Sequence, residues 1–193
     1  MADQFIRCAQ KYFERLQQVL DGIDHSELER FVDLLLQARE SGRNIFFAGN
    51  GGSAATSSHF ANDLSIGTRQ QEKSFKVISL VDNIATLSAI GNDYGYDQIF
   101  ARQINVYGQE GDLLVGISAS GNSPNLLRAF EAGQELGLIT VSITAFDGGK
   151  LKKLADHFVH VPTNVGEYGP AEDAHLILDH LITYYFQNVL EAS

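Results

Sequence analysis

The chain has 193 residues, of which 44% are hydrophobic and 20% charged, and its formal net charge is −10 at pH 7. This composition is typical of a globular domain that buries its own core, and the single cysteine, Cys8, excludes an internal disulfide. The acidic balance disfavours nucleic-acid binding, and no apolar run reaches the ~18 residues of a membrane helix. We therefore expect a cytoplasmic protein that binds neither nucleic acid nor a membrane.

Two helices are predicted before the first strand. Residues 3–21 carry apolar side chains at helical spacing, and the apolar face that they form needs a partner. Ser26 and Glu29 form a potential capping box for a second helix. The sequence thus predicts one domain, with residues 1–41 as a helical arm and residues 42–193 as an α/β core with a C-terminal helix.

Short apolar segments then alternate with helical ones. The predicted strands cover residues 44–49, 75–80, 112–118, 139–145 and 157–162. The predicted helices cover residues 53–65, 82–90, 96–108, 124–136, 150–155 and 170–191. Short strands separated by helices imply parallel crossovers, so we expect a doubly wound, five-stranded parallel sheet. Ligands of such sheets bind beyond the carboxyl ends of the strands, at the point where the strand order reverses.

A glycine-rich turn follows the first predicted strand. Gly49-Asn50-Gly51-Gly52-Ser53 connects that strand to a helix, and its glycines permit positive φ angles and a close approach of a ligand to the backbone. The start of the helix offers free N–H groups and the positive end of the helix dipole. This turn therefore fits a phosphate site, although a tight turn without a ligand fits it equally well.

A second polar turn favours the phosphate interpretation. Ser118-Ala119-Ser120-Gly121-Asn122-Ser123 follows the third predicted strand and precedes a helix with Pro124 at its first position. Two such loops at one edge of a sheet can surround a single phosphate. A nicotinamide-dependent enzyme is a weaker alternative, because Asp82 lies too far along the chain for the acidic residue of the dinucleotide fingerprint.

Histidines and carboxylates recur at helical spacing in two segments. His59 and Asp63 are four residues apart, and Glu172 and His180, eight apart, share a face of the last helix. Such a set can bind Zn²⁺ or transfer a proton between neighbouring carbons, and surface salt bridges are the plain alternative. His175 and Asp179 form a further pair, which either supports that site or lies on the surface.

The motifs of the chain resemble those of the sugar isomerase (SIS) domain. They are GNGGSA (49–54), HFA (59–61), GND (91–93), GISASGNS (116–123) and DGG (147–149). More narrowly, the chain resembles the phosphoheptose isomerases, which convert sedoheptulose 7-phosphate to D-glycero-D-manno-heptose 7-phosphate. From about residue 5 onward, the resemblance implies a flavodoxin-like three-layer fold and an aldose–ketose isomerase of heptose biosynthesis that acts through an enediol. It also implies a homotetramer whose active sites are shared between subunits.

The resemblance also implies which residues act. The family binds Zn²⁺ at four positions that correspond here to His59, Asp63, Glu172 and His180, and it implies Asp63 and His180 as the catalytic base and its partner. Glu172 is expected to contact the substrate as well. The remaining expected substrate-binding residues are Asn50, Gly51, Gly52, Ser53, Asn92, Asp93, Ser118, Ala119, Ser120 and Ser123.

Two of these positions depart from the family pattern. Asp63 stands where the family has Glu, which shortens the side chain by one methylene, and Glu172 stands where it has Gln, which adds a negative charge. Two imidazoles and two carboxylates would neutralise Zn²⁺, whereas without metal two close carboxylates would raise each other's pKa. The changes can therefore mark a shifted substrate, a firmer metal site or a different function.

Two other functions remain open at this point. A non-enzymatic relative, which binds the bacterial replication initiator protein as a tetramer, also keeps the glycine turn and the loop serines. An adaptor of that kind does not need the histidines and carboxylates that this chain retains. A sugar-phosphate sensor is the other alternative, in which the loops bind ligand but Asp63 and Glu172 do not catalyse.

Overall fold

The computed structural model describes residues 2–69 and 73–189. The helices are α1 (Ala2–Asp21), α2 (His25–Glu40), α3 (Gly52–Asn62), α4 (Ile84–Tyr94), α5 (Ala101–Tyr107), α6 (Pro124–Glu135), α7 (Gly149–Leu154) and α8 (Tyr168–Asn188). The strands are β1 (Asn44–Gly49), β2 (Lys76–Ser79), β3 (Leu113–Ser118), β4 (Ile139–Thr144) and β5 (His157–His160). All five predicted strands are present, and no strand end differs from its prediction by more than two residues.

The five strands form one parallel sheet with the order β2-β1-β3-β4-β5. The chain moves from β1 to the edge at β2, and then crosses back to place β3 on the other side of β1. The strand order therefore reverses between β1 and β3, and their carboxyl ends flank the crevice in which such sheets bind ligands. The predicted doubly wound fold is confirmed, and both polar turns begin at this crevice.

Successive side chains of the central strands enter two separate cores. Phe46 of β1 belongs to a core shared with α5 and α6, whereas Phe47, on the other face, belongs to a core shared with α2, α3 and α8. Both side chains are fully buried. This alternation follows from the period of two residues in a strand, and it produces three layers, with helices on both faces of the sheet.

The arm formed by α1 lies against the start of α8. The Tyr12 hydroxyl donates to Asp173 over 2.5 Å, and Arg15 forms an ion pair of 2.7 Å with Glu167. Val19 near the end of α1 is fully buried, but Phe5 toward its start is 75% exposed. The apolar face of α1 is therefore only partly covered within one chain.

Several predicted helix ends are corrected by the structure. Helix α2 is capped by Asp24, whose carboxylate accepts from the Ser26 amide, so the predicted capping box at Ser26 and Glu29 is wrong. The predicted helix at 53–65 ends at Asn62 and continues as one π-helical turn, Asp63–Gly67. The predicted helix at 96–108 begins with a short 3-10 turn, Tyr96–Gln98. The predicted end of the last helix at Glu191 lies outside the described residues.

Within residues 2–69 and 73–189, no helix combines the length and apolarity needed to cross a bilayer.

Candidate active site

The glycine turn after β1 has the geometry that its composition predicts. Gly51 has φ 55° and ψ −122°, a conformation that a side chain would strain, and α3 begins at the next residue. Gly52 lies close to α8 as well, because a Cβ at this position would lie 2.2 Å from the Glu172 carboxylate, which would have to move. The turn thus brings the first N–H groups of α3, which have no partners inside the helix, next to the start of α8.

Two asparagines join the glycine turn to the serine loop. The Asn50 amide donates to the Asn125 side-chain oxygen over 2.9 Å, and Asn125 donates back to the Asn50 oxygen over 2.8 Å. The Tyr96 hydroxyl donates to the same Asn50 oxygen over 2.9 Å. This network fixes the spacing of the two loops across the point where the strand order reverses.

The serine loop after β3 is held by its own hydroxyls and by the segment that follows β4. Gly121 N–H donates to the Ser118 hydroxyl, and Asn122 N–H donates to the Ser120 hydroxyl. The Leu151 amide donates to the Gly121 carbonyl over 2.8 Å. These bonds hold the loop in one shape, and its serine side chains line a cavity.

That cavity has a volume of about 190 Å³ and lies between the two loops and the first turns of α8. It brings together the predicted substrate residues Asn50, Ser53, Ser118, Ala119, Ser120, Ser123 and Glu172. Tyr168 lines the same cavity and was not predicted. A larger groove of about 520 Å³ runs along the edge strand β2 and contains none of these residues. The smaller cavity therefore has the polar lining that a phosphate ester needs.

Helices α3 and α8 run side by side in the same direction. Gly52 at the start of α3 contacts Glu172 of α8, and seven residues further along α3 His59 contacts His180 of α8. After α3, the carbonyl of Gly67 accepts from the Gln187 side chain of α8. The sequence offset between partners is 120 or 121 residues at each of these contacts, so the two helices rise together. The cavity therefore lies at the start of both helices, and His59 and His180 lie about two turns further along them.

Four potential metal ligands meet at this second position. The ligand atoms of His59, Asp63, Asp179 and His180 all lie within 4.8 Å of one another. His59 Nε2 is 3.3 Å from His180 Nε2, 3.4 Å from Asp63 Oδ2 and 3.9 Å from Asp179 Oδ2. Two ligand atoms of a tetrahedral zinc ion are about 3.3 Å apart when the Zn–N bonds are about 2.0–2.1 Å, so the two imidazoles have the spacing that such an ion requires.

His175 and Asp179 do not form the plain surface pair that the sequence left open, since both side chains are fully buried. Neither Asp179 oxygen has a partner at hydrogen-bonding geometry among the described residues. Burial raises the pKa of Asp179 to about 8, the Asp63 carboxylate adds to the increase, and the Thr183 hydroxyl partly offsets it. Burial also lowers the pKa of His175 to about 4. A cation among these side chains would compensate the buried carboxylate.

The structure does not bring every predicted residue to these two positions. Asn92 and Asp93 are exposed on α4, where the Asn92 amide donates to the Asp93 carboxylate, and neither lines the cavity. Glu172 lies two turns before His180 and is outside the group of four ligands, which contains Asp179 instead. The four-residue spacing of His175 and Asp179 was visible in the sequence, but the buried face of α8 was not.

Comparison with known proteins agrees with this geometry. The sequence model of the SIS domain family matches residues 11–145. The phosphoheptose isomerase of Helicobacter pylori strain 26695 is 38% identical over 169 residues, which are 88% of this chain and 86% of that protein. The chain belongs to the phosphoheptose isomerase family of SIS-domain proteins.

Solved structures of this family share the whole fold. Phosphoheptose isomerase GmhA from Neisseria gonorrhoeae superposes with a TM-score of 0.86 at 30% identity, and covers 98% of this chain and 100% of its own. A phosphoheptose isomerase from Francisella tularensis gives a TM-score of 0.85 at 25% identity, with 94% and 97% covered. The family resemblance inferred from the motifs is confirmed, and with it the class of phosphosugar isomerases.

Proposed function

We propose that this isomerase interconverts sedoheptulose 7-phosphate and D-glycero-D-manno-heptose 7-phosphate. One observation carries the proposal. A group of two imidazoles and two carboxylates lies on the same pair of helices as a serine-lined cavity. The cavity suits the phosphate, and the group suits the carbons that exchange a proton. An adaptor has no need of such a group, and we therefore favour an enzyme.

The phosphate end of the substrate fits the two loops. The Ser118, Ser120 and Ser123 hydroxyls and the N–H groups at the start of α3 would donate to the phosphate oxygens. The acidic net charge of the chain does not oppose this, because N–H groups bind an anion without a lysine. Glu172 would accept from the sugar hydroxyls nearest the phosphate.

The reacting carbons would then lie toward Asp63 and His180. Asp63, as base, would take the proton from C1 of the ketose while His180 protonates the C2 oxygen, which gives the enediol. Return of a proton to C2 and loss of the O1 proton complete the aldose. Asp63 is held for this role by Asn62, whose amide donates to its Oδ1 over 2.8 Å.

We also propose that Zn²⁺ is the cofactor. His59, Asp63 and His180 would hold it. The family resemblance implies Glu172 as the fourth ligand, whereas Asp179 is the residue that lies beside the other three. The spacing of the imidazoles and the buried carboxylate beside them fit such an ion. When bound, Zn²⁺ would supply positive charge that polarises the carbonyl oxygen of the substrate.

We further propose that the chain acts as one SIS domain, assembles as a homotetramer and works in the cytoplasm. The partly uncovered apolar face of α1 supports assembly, since Phe5 and Phe13 remain 75% and 67% exposed in one chain. A cytoplasmic location suits a doubly charged sugar phosphate, which does not cross a bilayer unaided.

The test is conversion of sedoheptulose 7-phosphate by the purified protein, with and without added Zn²⁺, followed by NMR of the aldoheptose phosphate. We expect zinc-dependent product. Binding without product would instead support a sugar-phosphate sensor or another substrate, and the absence of binding would support the adaptor.

Two variants extend this assay to the proposed acid and base. Asp63→Asn and His180→Gln should each reduce turnover by at least about 100-fold while the far-ultraviolet circular dichroism and the oligomeric state stay those of the wild type. The matched control is Asp173→Asn on the same helix, which we expect to retain turnover. Near-normal turnover in either test variant would remove that residue from the mechanism.

A further inference from the structure

We propose that Asp179 is the fourth ligand of the metal site, together with His59, Asp63 and His180, and that Glu172 belongs to the sugar-binding cavity instead. The inference rests on the proposed function in that it concerns the same metal. It changes the ligand set that the family resemblance implies, and it is drawn from the positions of the side chains in this chain.

The burial of Asp179 is the first observation. The side chain has no exposed surface, yet neither of its oxygens has a partner at hydrogen-bonding geometry among residues 2–69 and 73–189. Buried carboxylates in proteins are normally paired, hydrogen-bonded or bound to a cation, because removing the charge from water is costly. A bound cation would satisfy these oxygens and allow the side chain to be charged.

The direction of Asp179 is the second observation. Its Oδ2 lies 3.9 Å from His59 Nε2, and one ligand atom from each of the four residues fits within a 4.8 Å span. Asp179 and His180 are adjacent in α8, whereas His59 and Asp63 come from α3 and the π-helical turn after it. Each of the two segments thus supplies one imidazole and one carboxylate to one point.

Glu172 has a different environment. Its carboxylate packs against the Gly52 backbone and lines the cavity with Ser53 and the serine loop. A ligand set of Asp63 and Asp179 with two neutral imidazoles already balances the charge of a divalent cation. Glu172 is then free to accept hydrogen bonds from the hydroxyl groups of the sugar.

The experiment measures zinc affinity directly, without substrate. The full-length protein is freed of metal and titrated with Zn²⁺ against a chromophoric chelator of known affinity. We expect one Zn²⁺ per chain, a loss of affinity of at least about 10-fold in Asp179→Leu, and wild-type affinity in Glu172→Leu, which is the matched control on the same helix.

Thermal unfolding of the metal-free proteins provides a second readout. Asp179→Leu should unfold at the same or a higher temperature than the wild type, because it replaces a buried polar side chain with an apolar one of similar size. Lost affinity with retained stability cannot come from misfolding. If the leucine variant does not fold, Asp179→Asn keeps the size of the side chain and should also weaken zinc binding.

Three results would overturn the inference: wild-type affinity in the folded Asp179 variants, an equal loss in Glu172→Leu, or no zinc binding by the wild type. Its failure is separable from that of the proposed function. An enzyme that converts the heptose phosphate while Asp179→Leu binds zinc normally contradicts only this ligand assignment. A protein that binds zinc through Asp179 but converts no substrate contradicts only the proposed reaction.

Discussion

Gly52 lies where helices α3 and α8 pack side by side. The Glu172 carboxylate occupies the space that any side chain at this position would need, with its Oε2 2.2 Å from the site of a Cβ. The φ angle of Gly52 is not in the left-handed region, so the requirement is steric and comes from α8 alone. Glycine here lets the start of α8 touch the turn that bears Asn50.

We therefore expect Gly52→Ala to lower the free energy of unfolding by at most about 1 kcal/mol, because the added methyl group displaces the Glu172 carboxylate, which is the end of a flexible side chain. The double variant Gly52→Ala with Glu172→Ala should recover most of the loss, with a coupling energy of about 0.5–1 kcal/mol. Urea unfolding of the two single variants and the double variant measures both quantities.

The control for this cycle is Gly91→Ala in α4, where the nearest atom to the added Cβ is 3.9 Å away. Without a clash, alanine should stabilise that helix by up to about 1 kcal/mol. Additive losses in the Gly52 and Glu172 variants would show that the two residues do not compete for space.

The sequence predicted the residues that a local sequence pattern identifies, and it missed those whose role depends on contacts between distant parts of the chain. Glycines and serines at strand ends indicated the loops, and His59 and Asp63 were visible as a helical pair. Asn125 could not be selected, because its partner Asn50 is 75 residues away. For Asp179, the sequence left open whether it supports the site or lies on the surface. Only the strand order brings Asn50 opposite Asn125, and only the position of α8 buries Asp179.

At the scale of whole elements, the strands were the most predictable part of the fold, because four of the five contain apolar side chains that are fully buried. The helix ends were less predictable, since several chemical groups compete for them. Asp24 caps α2 in preference to Ser26, and the carbonyl of Asp63 accepts from the Thr68 amide five residues later, which produces the π-helical turn. That turn changes the angular position of the residues after α3, and no local sequence signal marks it.

The contact between α1 and α8 makes stability depend on pH. The Arg15 guanidinium lowers the pKa of Glu167 to about 2, below the ordinary value of 4.5. As the pH falls, the Glu167 carboxylate therefore binds a proton at a higher pH in the unfolded chain than in the folded chain. The stabilisation is complete above about pH 4.5 and is lost as the pH falls toward 2.

Glu167→Gln should accordingly show a smaller loss of stability between pH 5.5 and pH 3.5 than the wild type. Arg15→Gln should show the same flattening, and the double variant should add little to either change. The measurement is the urea midpoint as a function of pH. Parallel curves for the wild type and the variants would mean that this ion pair has no such role.

At the scale of the whole molecule, one chain leaves apolar surface uncovered. Phe13 on α1 is 67% exposed, and Leu181 and Tyr184 on α8 are 50% and 63% exposed. Leu181 follows His180 directly, and Tyr184 lies one helical turn after it. Assembly of chains through this surface would therefore bring a neighbouring subunit close to the proposed metal site.

We expect the wild type to be a tetramer by light scattering and Phe13→Glu to shift it to smaller species, because each buried Phe contributes about 1.5–3 kcal/mol and the contact recurs in every subunit. Gln18→Glu is the matched control, since it adds the same charge about 140° away around α1. An unchanged tetramer in Phe13→Glu would exclude this face from the assembly.

Contacting residues of α3 and α8 are separated by nearly the same number of residues along both helices, and this limits where the chain can gain or lose residues. Seven residues separate Gly52 from His59 and eight separate Glu172 from His180, so each helix carries a contact near its start and a proposed metal ligand about two turns later. Inserting or deleting one residue between these points would rotate the ligand by about 100° relative to its loop. Such a change would point His59 or His180 away from its partner while each helix remained intact. The lengths of these two segments can therefore change only outside the intervals that join the serine-lined cavity to the four potential ligands.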